Sequence, residues 1–295
     1  MRVGIVDVGA NTVRLLVATH DDARLVAVRE ERAQLGLGEE IERNGRISDE
    51  QLDEAAATAA TCVRRARKLG SAAVEILVTS PGRQADNGAE LVSRLAAATR
   101  APTRVLSAEE EAELAWRGAV RAADDTPPTV AVCDVGGGSA QIAVGSKATG
   151  PTWVRSVDIG SLRLTERALR DDPPTPGDIA RATRAIAEAF DDVRPPRPDG
   201  ALAVGGTARA LRRVAGEPLS EHDLADALDE LSLLPSRQIA KTYKLDRRRA
   251  RTITAGALIL GEIQRRLDVS LEVGRGGLRE GAALQLLDAN VAATA

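Results

Sequence analysis

Two short segments of this chain carry one pattern: an apolar, β-branched run, an Asp, a tight glycine turn, and a second such run. The first is Asp7-Val8-Gly9-Ala10-Asn11-Thr12, flanked by residues 3–6 and 13–18. The second is Asp134-Val135-Gly136-Gly137-Gly138-Ser139, flanked by residues 130–133 and 142–144. Each reads as strand, turn, strand with a carboxylate at the entrance of the turn. A Gly-rich hairpin exposes backbone N–H groups that can cradle phosphate oxygens, and a carboxylate beside it can hold Mg²⁺. One such loop is weak evidence. Two in matching context predict a phosphate held between two related domains.

The surrounding pattern also repeats. The spacing predicts strands at 3–8, 13–19 and 25–31, a helix over 49–69, a strand at 74–79, a helix over 89–98, a strand at 103–106 and a helix over 109–123. Ser48 with Gln51 reads as a capping box, and Gly70 as the stop. A polar, Pro-containing stretch at 124–128 marks a boundary. Strands then recur at 130–134, 140–144 and 153–158, followed by helices from about 161 and over 178–193. A strand at 201–204 leads through Gly205-Gly206-Thr207 into a helix over 208–214. Helices over 223–231 and 254–267, a strand at 270–273 and a helix over 278–290 finish the chain. The expectation is a duplicated α/β architecture with mixed sheets, with domains 1–123 and 124–295.

At 295 residues and 43% hydrophobic composition, two domains with real cores are affordable. The formal net charge of −3 is that of an ordinary globular protein. No apolar run reaches the ~20 residues of a membrane span, and no charged-then-apolar signal precedes Val3, so a cytoplasmic location without membrane attachment is expected. Trp116, Trp153, Tyr243 and Phe190 are the complete aromatic set, which argues against a nucleic-acid reader that stacks bases. Cys62 and Cys133 make no metal spacing and read as small core residues. His20 and His222 are the whole histidine complement and read as surface residues, so chemistry has to rest on carboxylates and arginines.

The loop arrangement resembles the sugar kinase/heat-shock ATPase/actin superfamily, whose two ribonuclease-H-like domains close on phosphates across an interdomain cleft. Three further segments narrow the resemblance. Residues 78–87, Val-Thr-Ser-Pro-Gly-Arg-Gln-Ala-Asp-Asn, look like a loop ending in Arg-x-Ala-x-Asn. Residues 106–114 resemble a Ser-Gly-x-Glu-Glu-Ala-x-Leu segment, and Leu278-Arg279-Glu280-Gly281 a Leu-Arg-Glu-Gly signature. Together they are similar to the exopolyphosphatase/guanosine pentaphosphatase (Ppx/GppA) family in its short two-domain form, from Val3 to about Leu287.

The resemblance implies Mg²⁺-dependent removal of a terminal phosphate from inorganic polyphosphate, from guanosine pentaphosphate (pppGpp), or from both. Glu111 aligns with the family's catalytic Glu, which polarises the attacking water. Glu109 and Glu110 are explained by the helix start they occupy, because Ser107 and Glu110 form a capping box. Arg83, beside Gly82, is expected to clamp the transferred phosphate; outside its motif it would read as a solvated surface residue. Asp7 and Asp134 are expected to ligate Mg²⁺, although each could instead stabilise its turn. Gly9, Asn11, Thr12, Arg14, Gly136, Gly137, Gly138 and Ser139 would bind phosphate. Gly205, Gly206 and Thr207, alone an ordinary strand–helix turn, would add a third anion site. Homodimers are common in the family.

Three departures stand out. Ala10 replaces the usual Ser of the first loop, Pro81-Gly82 changes the stiffness of the turn before Arg83, and Gln141 stands where many members have Glu. Gln141 is expected to remain a metal contact without the charge. Ala10 and Gln141 motivate the alternative, a catalytically weak sensor that binds the alarmone or polyphosphate. A small-molecule kinase of the same superfamily is weaker, since Glu111 and the Arg83 loop argue against it.

Overall fold

The computed structural model describes residues 1–21 and 24–292. In chain order the first part contributes β1 (Arg2–Val8), β2 (Thr12–Asp21), β3 (Arg24–Gln34), α1 (Leu37–Asn44), α2 (Asp49–Lys68) and β4 (Ser71–Val78). It continues with α3 (Ser80–Gln84), α4 (Gly88–Thr99), β5 (Thr103–Val105) and α5 (Ala108–Ala122). Next come β6 (Val130–Val135), β7 (Ala140–Ser146), β8 (Gly150–Val157), α6 (Ser161–Ala168), α7 (Pro176–Ala189) and β9 (Gly200–Val204). The rest is α8 (Gly205–Ala215), α9 (Glu221–Leu233), α10 (Ser236–Thr242), α11 (Arg247–Leu267), β10 (Leu271–Val273) and α12 (Leu278–Ala292).

Two five-stranded sheets share one topology. The first runs β3-β2-β1-β4-β5 and the second β8-β7-β6-β9-β10 when read from the same edge. In each, the central strand pairs antiparallel with its hairpin partner and parallel with the strand on its other side. This is the ribonuclease-H-like order, and the mixed α/β class expected from the repeated pattern is what the chain adopts.

The chain divides into two compact units, Met1–Ala122 with Gly276–Ala295, and Ala123–Arg275. The expected second domain of 124–295 is therefore corrected at its end, because α12 belongs to the first unit. The physical reason is the first sheet's two apolar faces. Val6, Val8, Val13, Leu15 and Val17 pack with Leu52, Ala55, Ala59 and Val63 of α2 and Leu91 and Leu95 of α4. Val3, Ile5, Leu16, Ala18 and Leu77 face the other way, and Leu114 of α5 with Leu278, Ala282, Ala283 and Leu287 of α12 covers them. Strands buried on both faces need helices on both.

The second unit has a core spanning Cys133, Ile142, Val144, Ile186, Phe190, Leu211, Ile253 and Leu260. Cys62 and Cys133 are buried free thiols. Burial pushes the Cys133 thiol well above its ordinary range, which keeps it neutral and non-nucleophilic. No described helix is long and apolar enough to cross a membrane.

Local rules held with one revision. Ser48 accepts from Gln51 N, as a cap should, but the reciprocal bond comes from elsewhere: Glu40 receives both the Ser48 N–H at 2.7 Å and its hydroxyl at 2.9 Å. Gln51 turns to accept from Gly36 N at 3.2 Å. The short helix α1, which the periodicity does not show, supplies that Glu40.

Candidate active site

In the first unit, loops leave the carboxyl ends of three parallel strands, β1, β4 and β5, the place where open α/β sheets bind ligands. The β1–β2 turn is tight, with Gly9 N–H donating to Thr12 O at 3.0 Å. The register sets Asp7 opposite Arg14. The loop's carbonyls are engaged: Ala10 O accepts from Gly38 N at 2.8 Å and Asn11 O from Leu35 N at 2.9 Å. Asp7, Gly9, Asn11, Thr12 and Arg14 all keep part of their surface exposed.

Val8 and Val78 are register partners, so the chain leaves β4 beside this loop, where Thr79 N–H donates to Val8 O at 3.1 Å. It then forms α3, a turn of helix that the apolar periodicity does not show. Pro81 occupies its first turn, where a fixed φ and a missing N–H cost nothing. Gly82 is required by packing, since a Cβ there would lie 2.9 Å from Val105 Cγ2 and 3.0 Å from Val78 Cγ1. The outcome of Pro81-Gly82 is thus a short helix that carries Arg83.

Arg83 is held at two points. Nη1 donates to Leu106 O at 2.8 Å, and Nη2 to Glu111 Oε2 at 2.9 Å. The side chains are 20% and 13% exposed, so the pair is partly screened from water yet reachable. Glu110 is accounted for differently: it accepts from Ser107 N at 2.8 Å while Ser107 Oγ accepts from Glu110 N at 3.1 Å, and it pairs with Arg104 at 2.8 Å. The capping box therefore leaves Glu111 to meet Arg83. Asn87, the last residue of the Arg-x-Ala-x-Asn motif, accepts from Ile47 N at 2.9 Å and donates to Ile47 O at 2.8 Å through its side chain. The Arg-x-Ala-x-Asn motif thus joins a site residue to a backbone clamp.

In the second unit the turn recurs, with Gly136 N–H donating to Ser139 O at 2.9 Å and Asp134 opposite Gln141. Its carbonyls are again held by the start of a helix: Ser161 N donates to Gly136 O, and Leu162 N and Arg163 N donate to Gly137 O. Gly160 must be glycine here, because a Cβ would stand 2.4 Å from Gly137 backbone atoms. The α8 turn lies against the loop's carboxylate. Gly205 has φ +82°, and a Cβ on it would meet Asp134 Oδ1 at 2.2 Å.

Three expectations change here. Thr207 is fully buried; its hydroxyl donates to Val135 O at 2.7 Å and accepts from Arg249 Nη1 at 2.9 Å. It braces the site instead of contacting phosphate. Gln141 is 2% exposed, and its amide nitrogen donates to Ser139 Oγ at 2.7 Å and Ser156 Oγ at 3.3 Å. The amide nitrogen thus positions the loop, which leaves the side-chain carbonyl oxygen as the atom able to meet a metal. Ser139, also 2% exposed, has its oxygen engaged by that amide. Arg249 is the residue missed, hidden in an arginine-rich run that offers no local signal.

Among the described residues no group of three or more His, Cys, Asp or Glu side chains forms a metal cluster. The donor set still suits Mg²⁺, which binds through one or two carboxylates together with substrate phosphate oxygens rather than in an all-protein cage. Asp7 in the first unit and Asp134 in the second each offer one carboxylate beside a backbone turn. Gly205→Ala is expected to displace the Asp134 carboxylate and force an unfavourable positive φ. Mg²⁺-supported turnover should fall about tenfold or more, read as a raised Mg²⁺ requirement in steady-state assays.

The chain's residues 16–290 match the model of the Ppx/GppA phosphatase family. It is 28% identical to exopolyphosphatase 1 of Mycobacterium tuberculosis, covering 100% of this chain and 91% of that protein. The crystal structure of the Aquifex aeolicus Ppx/GppA family member superposes with a TM-score of 0.83 at 26% identity, covering 98% of this chain and 99% of that one. An exopolyphosphatase structure from Cytophaga hutchinsonii shares the fold with a TM-score of 0.85 at 23% identity, over 98% of each chain. The paired loops, the Arg83–Glu111 contact and these matches lead to one statement: this chain belongs to the Ppx/GppA phosphatase family.

Proposed function

We propose that the protein is a Mg²⁺-dependent exopolyphosphatase that removes the terminal phosphoryl group of inorganic polyphosphate. The observation that carries this is the Arg83–Glu111 pair, 2.9 Å apart at the carboxyl ends of the parallel strands of a Ppx/GppA-family fold. Phosphoanhydride cleavage needs charge neutralisation, positioning and a water aimed in line. Arg83, held by Leu106 O, supplies a fixed guanidinium fork for the transferred phosphate. Glu111 takes the proton of the attacking water. Gly9 N–H closes the turn on Thr12 O, so the backbone N–H groups that follow it in the loop hold the remaining oxygens, with Arg14 beside them. Mg²⁺ would offset charge on the phosphates, and the carboxylate beside each phosphate loop, Asp7 in one unit and Asp134 in the other, is a candidate to hold it.

The curated exopolyphosphatases that match over the whole chain favour polyphosphate. Hydrolysis of pppGpp is the second reading, supported by the family's double designation and by Arg14 next to the first loop. The intact Arg83–Glu111 pair weighs against a purely binding sensor. We also propose a cytoplasmic location and a homodimer, on the family resemblance alone.

The test is phosphate release from long-chain polyphosphate and from pppGpp, with Mg²⁺ and after chelation. Release from polyphosphate that a chelator abolishes and Mg²⁺ restores is the expected result. Release from pppGpp alone would move the assignment to the alarmone, and release that survives chelation would remove the metal.

A further inference from the structure

Helix α3, which carries Arg83, has five residues, far fewer than an isolated helix needs to persist. No side chain caps its start, where Thr79 N–H leans on Val8 O of β1. Its other end depends on what the chain does next. There the backbone folds back so closely that a Cβ at Gly88 would lie 2.4 Å from Gly82 O.

Asn87 is the N-cap residue of α4, a position where Asn ordinarily accepts from the first N–H groups of its own helix. Here it makes no such bond. Both polar atoms of its amide go instead to the backbone of Ile47, 40 residues earlier. Asp86 N–H adds a third bond across the same gap, to Gly45 O at 2.9 Å. The Ile47 side chain is fully buried in the first unit's core, so the far side of the clamp is a fixed point. A helix cap has been given up to hold the segment that follows Arg83.

The clamp also reaches the first phosphate loop. Gly45 and Ile47 follow α1, and the residues around the start of α1 hold the β1–β2 turn. Leu35 N donates to Asn11 O at 2.9 Å and Gly38 N to Ala10 O at 2.8 Å. Eight residues of helix, about 12 Å, therefore run from the loop to the Arg83 segment. All of these groups belong to the first unit. Without the clamp, Arg83 keeps its acceptors on Leu106 and Glu111 but loses a fixed origin for its side chain.

We propose that Asn87 is a positioning residue for phosphate removal, acting through Arg83. Together with α1 it keeps the guanidinium in register with the β1–β2 phosphate loop. The inference rests on the reading of Arg83 as the clamp on the transferred phosphate. Displacing such a group by an ångström costs rate steeply, whereas binding shared among several donors changes little. Asn87 therefore acts on kcat more than on KM.

The experiment is a double-mutant cycle on phosphate release from polyphosphate. Asn87→Ala and Arg83→Ala are made singly and together, and each preparation is also melted. Asn87→Ala alone should lower kcat about 10- to 100-fold, with KM within about twofold of wild type. Added to Arg83→Ala it should cost less than about twofold more, since no guanidinium is left to misplace. Asn87→Asp separates positioning from stability. Aspartate caps a helix as well as asparagine does, and it keeps an acceptor for Ile47 N but loses the donor to Ile47 O. This variant should melt close to wild type while its kcat falls about tenfold. Full turnover in Asn87→Ala or Asn87→Asp would overturn the inference and leave the reading of Arg83 intact, as would equal losses in the two Asn87→Ala backgrounds. Wild-type turnover in Arg83→Ala, or no phosphate release by wild type, would overturn that reading and the inference with it.

Discussion

Glu111→Gln is expected to lower phosphate release from polyphosphate by about 100- to 10,000-fold, the range a positioned general base contributes. The substitution keeps the side chain's shape and an oxygen able to accept from Arg83 Nη2, so the 2.9 Å contact persists in neutral form. The acceptor for the water proton is lost. The fold should be little affected, because the pair is partly exposed and Arg83 keeps its bond to Leu106 O. The check is steady-state release at saturating substrate together with thermal unfolding of the same preparation. A variant that retains more than about a third of wild-type kcat removes Glu111 from the base role. A variant that loses activity and melts early would indict the scaffold instead. Glu110→Gln serves as the neighbour control, since Glu110 is bound to Ser107 and Arg104.

Gly281→Ala is expected to destabilise the first unit by about 3 kcal/mol or more, as overpacking against backbone does when nothing can yield. Helices α5 and α12 approach backbone to backbone: a Cβ at Gly281 would lie 1.9 Å from Leu114 O, and one at Gly118 would lie 2.0 Å from Gly277 O. Arg279, 9% exposed, fixes the same helix through Glu30 at 3.2 Å. The Leu-Arg-Glu-Gly segment is in this sense a docking device. At about 2–4 °C per kcal/mol for a unit of this size, the first unfolding transition should drop by roughly 6–12 °C. Gly261→Ala is the matched control, because a Cβ there meets nothing within 4 Å inside α11 and removes a helix-interior glycine. It should be neutral or stabilising by about 0.5–1 kcal/mol. If the two variants melt together, the close approach of α5 and α12 is not what holds the last helix in place.

The two matched hairpins, most of the strands and helices around them, and the commitment of Glu110 to a helix start are legible in the order of residues. These are local matters. Alternating apolar residues define a strand, a glycine turn closes it, and a Ser three residues before Glu110 commits that carboxylate to the helix start. Glu111 is an acid that this capping box does not use, and it lies against Arg83.

Tertiary structure alone decided the rest. The repeat suggests that each half keeps its own last helix, yet α12 returns to the first unit. What selects it is the match between its apolar face and the uncovered side of the first sheet, a contact between segments far apart in the chain. The same holds for Thr207 and Gln141. Their motif positions point to phosphate and metal contact, but packing against Val135, Arg249, Ser139 and Ser156 makes the Thr207 hydroxyl and the Gln141 amide nitrogen braces. A hydroxyl or amide in a loop carries no sequence mark of the partner it will find. That partner is set by which strands and helices pack beside it, as it was for Arg249, whose role appears only when α11 meets the α8 turn.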